Sequence, residues 1–121
     1  MILATVNKSK QLLYLSFIGD VQVNELVEGR DELARLLADL EPGFRLLTDL
    51  GQLDSMSLDC APELGKNMEL CDQKGVGLIV RVIPDPMKDI GLGILSRFHY
   101  PHRPRTVTCE SMIEAAKLLS L

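Results

Sequence analysis

Residues 44–83, FRLLTDLGQLDSMSLDCAPELGKNMELCDQKGVGLIVRVI, decide the fold. Two short and nearly all-apolar runs, Arg45–Leu50 and Val76–Ile83, are joined by a link whose second half has helical periodicity. Buried strands joined that way predict a right-handed βαβ crossover and a parallel strand pair. The link opens with an acidic, serine-containing turn, Gly51–Asp59, which sets Asp54, Ser55 and Ser57 beyond the carboxyl end of the first strand. Open α/β sheets keep their functional surface at that end. A helix follows, with Asp59 or Ser57 as its cap and Pro62 in its first turn, where a missing N–H costs nothing. Ala61, Leu64, Met68 and Cys71 form its buried stripe, and Gly75 supplies the left-handed residue that ends it.

Upstream, Ile2–Val6 and Gln11–Ile18 read as a hairpin around the polar turn Asn7-Lys8-Ser9-Lys10. In the second run Leu13, Leu15 and Phe17 alternate with Leu12, Tyr14 and Ser16, so both faces are largely apolar, as in a central strand. A helix capped by Asn24 runs to Leu40, with Leu26, Leu33, Leu37 and Leu40 on one stripe and acidic residues early, where the helix dipole favours them. Downstream, Asp85-Pro86 opens a helix carrying Met87, Ile90, Ile94 and Phe98, weakened by Gly91 and Gly93. Pro101 and Pro104 keep His99–Arg105 irregular; Thr106–Thr108 is a short strand. Ser111-x-x-Glu114 is a capping box for a last helix that turns Met112, Ala115 or Ala116, and Leu119 inward. The order β-β-α-β-α-β-α-β-α predicts an α/β fold. Its mixed, mostly parallel five-stranded sheet opens with a β-hairpin, and four helices pack mainly on one face.

With 121 residues, 46% hydrophobic and 25% charged, residues 1–121 make one domain with an independent core. The net charge of −4 disfavours binding to a phosphate backbone, and the absence of Trp with 4% aromatics disfavours base stacking. Cys60, Cys71 and Cys109 are odd in number with no C-x-x-C pair, and read as reduced, buried residues. No leader pattern opens the chain, and its apolar runs fall well short of the ~20 residues that cross a bilayer. A cytoplasmic protein without a transmembrane segment is expected.

The chain carries no sign of nucleophilic catalysis: no G-x-S-x-G, no phosphate loop, and no dinucleotide fingerprint after Gly91-Leu92-Gly93. No cofactor or metal is expected. Asp49, Asp54 and Asp85 lack the paired carboxylates of a magnesium site, and His99 and His102 lack further zinc ligands. With Arg97, Arg103 and Arg105 the histidines form a basic loop, read either as a solvated connection or as a site for a phosphate headgroup or an acidic partner. Arg81, a charge in an apolar strand, is expected to snorkel or to pair with Asp49 or Asp85. Ser55 and Ser57 read either as helix caps or as phosphoacceptors at a helix N-terminus.

The opening hairpin, the LLTDL strand with its Asp54-Ser55-Met56-Ser57 turn, the GVGLIVRVIP strand and the closing strand and helix resemble the STAS family, the anti-sigma-factor-antagonist-like domains. The resemblance covers nearly the whole chain and points to a divergent branch, with Ser57 standing where the family's D-S-x-G-like turn has glycine. It implies a non-enzymatic regulatory module that binds a protein partner through Asp54, Ser55, Met56, Ser57 and Leu58. Ser55 then stands at the phosphoacceptor position of a partner switch, and self-association into a homodimer is a further option. The family's fold is shared with Sec14-type lipid-binding domains, so the alternative is a small-ligand or lipid carrier with an apolar slot under the helix from 85 to 98.

Overall fold

The computed structural model describes residues 1–85 and 99–121. Strands β1 (Ile2–Asn7) and β2 (Leu12–Val21) form the antiparallel hairpin. The chain continues through helices α1 (Val23–Glu28) and α2 (Arg30–Ala38) to β3 (Arg45–Met56). A 3-10 turn, Leu58–Cys60, leads into α3 (Ala61–Lys74), followed by β4 (Leu78–Val82). After the segment from 86 to 98 come β5 (Arg105–Cys109) and α4 (Met112–Leu118). The expected helix from 86 to 98 lies outside the described residues. Strands β2 to β5 are parallel, and the five strands lie across the sheet in the same order as in the chain. The predicted β3–β4 crossover is present, with Leu46 opposite Ile79 and Leu47 opposite Val80.

The strand pleat sends alternate residues to two cores of unequal size. Leu13, Phe17, Leu46, Leu50 and Ile79 face α1, α2 and α3, whose stripes Leu26, Leu33–Leu37 and Leu64–Met68 close the main core. Leu12, Leu47, Val80, Val82 and Cys109 face the other way and meet Ala115 and Leu119 of α4. Met112, expected inside, is exposed. The expected first helix is two helices, because the backbone at Gly29 caps α1 and starts α2. Its cap is Gln22 rather than Asn24: Glu25 reaches back to the Gln22 N–H at 2.7 Å. Gly75 has φ +98° and ends α3 as expected, donating its N–H to the Cys71 and Asp72 carbonyls. At the close of the chain Ser111 accepts the Glu114 N–H, as a capping residue does.

Candidate functional site

The segment from Gly51 to Met56, expected as a turn, is the continuation of β3. It follows β2, which also runs past the expected end at Ile18 as far as Val21. Register shifts on either side of Ile18 and Gly19 carry the pairing through, so that Ser55 lies opposite Asp20 and Met56 opposite Val21. The Ser55 hydroxyl donates to one Asp20 oxygen at 2.5 Å, and the Gln22 amide donates to the other at 2.5 Å. Ser57 is extended and precedes the 3-10 turn; its carbonyl accepts the Cys60 N–H, and its Oγ lies 3.8 Å from Cys60 Sγ. Neither serine hydroxyl, nor Asp59, caps the 3-10 turn or α3. The capping reading of these serines is therefore replaced by a strand-end contact for Ser55. Asp54, Ser55 and Ser57 are exposed, Met56 is partly buried against the main core, and Leu58 is 90% exposed.

The second candidate, the basic segment, is bound to the domain by acids that the sequence reading did not single out. His99 Nδ1 lies 3.1 Å from Glu69 Oε1, and His102 Nδ1 lies 2.7 Å from Asp72 Oδ2. The His102 N–H donates to the other Asp72 oxygen at 3.2 Å. Asp72 is buried in α3. The signal was present as spacing: acids at 69 and 72 on a helix, histidines at 99 and 102. Arg103 and Arg105 are exposed, and Arg97 lies outside the described residues. The histidine rings thus face carboxylates, which leaves Arg103 and Arg105 as the described cations of the segment that face solvent.

Arg81 is buried, and its side chain is on the main-core side of the sheet with Ile79 and Ile83. Asp49 is one pleat out of phase: its carboxylate accepts the Gly51 N–H at 2.8 Å and the Tyr14 hydroxyl at 3.3 Å on the opposite face. The expected Asp49–Arg81 pair is therefore ruled out by the strand period. Asp85, the other expected partner, follows the strand and is exposed. Arg81, Thr48, Asn67, Tyr100 and Glu25 are the polar residues lining a cavity of about 70 Å³ otherwise lined by residues such as Leu15, Leu26 and Met68. Burial pushes the Cys71 thiol beside it up to about 12, with the Asp72 charge adding to the shift. Burial likewise raises the Tyr100 phenol.

No family model and no curated protein matches the chain. Solved structures do. An uncharacterized DUF3478-family protein from Shewanella loihica PV-4, described as having a SpoIIAA-like fold, aligns with a TM-score of 0.72 at 18% identity, over 98% of this chain and 92% of that one. This chain has a SpoIIAA-like fold. The anti-sigma factor antagonist SpoIIAA in its unphosphorylated form aligns at 0.65 and 9% identity, covering 99% and 98% of the two chains. The phosphorylated form of SpoIIAA, a Bacillus cell fate determinant, aligns at 0.58 and 10%, covering 98% and 99%. On this fold the Asp54–Leu58 segment is a sheet-end edge leading into a helix. Among the described residues no helix is long and apolar enough to cross a membrane.

Proposed function

We propose that the chain is a non-enzymatic regulatory module of STAS type that binds a protein partner through Asp54–Leu58. The observation that carries this reading is Leu58, a large apolar side chain held 90% exposed on the tight turn between β3 and α3. Beside it stand Met56 and the strand-end serine. A leucine presented that way suits the apolar centre of a docking surface, with Asp54 and Asp59 at its rim. Control by phosphorylation would act through Ser55. Its hydroxyl is a donor to Asp20; a phosphate at neutral pH offers mainly acceptors and carries close to two charges, so it would repel Asp20 and part the ends of β2 and β3. The test is Leu58→Asp, which leaves the fold intact because the side chain touches little. A partner crosslinked by the wild type should be lost from this variant. Capture at wild-type strength would place the docking surface elsewhere.

The cavity supports a second reading, a small-ligand carrier. The slot expected under the helix from 85 to 98 lies outside the described residues, and the size of this cavity favours the docking reading. Cavities of roughly 150 Å³ take benzene, and ligand pockets run to about 300–1,000 Å³. About 70 Å³ holds less than one aromatic ring. A lipid carrier would require this space to open several-fold.

A further inference from the structure

One wall of the cavity is built differently from the others. Tyr100 lines it and is buried, yet it lies in the short segment ahead of β5 rather than on a strand or helix of the core. Its neighbours on both sides are fastened to α3. His99 meets Glu69 at 3.1 Å, and His102 meets Asp72 through both ring and backbone. The His99 ring also rests on Gly65, where an added Cβ would fall 2.5 Å from the imidazole. Gly65, Glu69 and Asp72 are spaced i, i+4, i+7, so they form one stripe of α3. Leu64, Met68 and Cys71 repeat that spacing one residue earlier and line the cavity. The segment thus crosses α3 along the stripe beside the cavity and drops Tyr100 into the core between its two fastenings. Asp72 is 3% exposed, and His102 is its partner among the described residues, while the His102 side chain is 78% exposed. The fastening is made from the solvent side and holds no core residue of its own.

We propose that His99–His102 is a strap latched onto α3, and that its release from Glu69 and Asp72 is the motion that uncovers the Cys71 side of the cavity. Closed, it keeps Tyr100 against the cavity and shields the Cys71 thiol. Open, it leaves the Asp72 carboxylate to water, and Cys71 becomes reachable without unfolding α3 or the sheet. Carboxylates turned toward the two rings make the latch directional, and Gly65 is the seat that lets the His99 ring lie flat on the helix. The strap is independent of the docking surface proposed for Asp54–Leu58.

Cys71 reports on it directly. In the full chain, iodoacetamide labelling mapped by mass spectrometry gives a rate for each of Cys60, Cys71 and Cys109, all buried and unpaired. His102→Ala removes the latch and touches no core packing; Gly65→Ala, a favourable change for a helix, forces the His99 ring off its seat. Both variants should label Cys71 at least about tenfold faster than wild type, with Cys60 and Cys109 unchanged. Unchanged Cys71 labelling in both variants would overturn the strap. So would a parallel rise at all three cysteines, which reports global opening instead.

Discussion

The Ser55 hydroxyl donates to the Asp20 carboxylate at 2.5 Å and ties the far end of β3 to the far end of β2. Both residues are exposed, so the bond acts at the rim of the sheet. Ser55→Ala should cost about 0.5–1.5 kcal/mol, the net worth of one hydrogen bond. Ser55→Glu should cost more, because it sets a second carboxylate against Asp20. Asp20→Asn introduced into Ser55→Glu should recover at least half of that extra loss in urea midpoint. If Ser55→Glu is as stable as wild type, the contact contributes nothing to the strand end.

Arg30 joins the start of α2 to α3. Its Nε donates to Asn67 at 2.8 Å, and one terminal nitrogen donates to the Glu63 carboxylate at 2.5 Å and to the Glu63 carbonyl at 3.2 Å. Lys cannot reproduce that fork, so Arg30→Lys should lower the urea midpoint. Arg30 is also the main cause that holds the Glu63 carboxyl below its ordinary value of 4.5. A depressed carboxyl contributes stability that is present above the ordinary value and fades as pH falls through the lowered one. The gap between wild type and Arg30→Met should therefore narrow as pH falls below 4.5. A constant gap from pH 7 to pH 3 would show that Glu63 and Arg30 are not coupled.

Cys71 predicts behaviour on the alkaline side. Its thiol ionises at about 12 in the folded protein against 9.0 for an ordinary thiol. Between those values the unfolded chain has lost a proton that the folded chain keeps, so stability falls as pH rises. The slope reaches up to about 1.4 kcal/mol per pH unit. Urea midpoints at pH 8.5 and 10.5 should show the fall, and Cys71→Ala should reduce it. Tyr100, raised in the same direction, adds to the slope at higher pH. An undiminished slope in Cys71→Ala would assign the effect elsewhere.

Asp49 works on the small-core face, where it receives the Gly51 N–H and the Tyr14 hydroxyl. Asp49→Ala removes the charged acceptor of both donors at a part-buried place and should cost about 1–3 kcal/mol. Tyr14→Phe in the same background should add little. Additive losses from the two substitutions would show that the hydroxyl contact is not made.

The regular part of the fold was legible because its periods are strong. Leu46, Leu47, Ile79 and Val80 could only belong to strands buried on both faces, and Leu26, Leu33, Leu37 and Leu40 kept helical spacing to the end. What escaped was pairing between polar segments. Gly51–Met56 reads locally as a turn, and it becomes strand only because Gly19, Asp20 and Val21 lie beside it with shifted register. No local preference encodes such a pairing. The break at Gly29 escaped for a related reason, since the leucine stripe continues through it. Of the candidate site, Asp54 and the serines are legible from their place after the strand, and Leu58 only through the family resemblance. Asp72 was missed because a buried carboxylate in a helix shows itself only when its partner, thirty residues on, is folded against it.

The order of the sheet bears on how the chain emerges during synthesis. Each strand lies beside the one made before it, so the growing sheet keeps β1 at one edge and has an open, growing side at the other. From the time β4 forms until β5 arrives, that open side is Leu78–Val82, a strand with four of its five residues destined for burial. Such an edge is a template for pairing with other chains, and inward-pointing charge is one of the devices that blunt it. Arg81 sits near the centre of that strand on its inner face. A neutral residue in place of Arg81 should therefore raise aggregation of chains in which β5 has not yet covered β4.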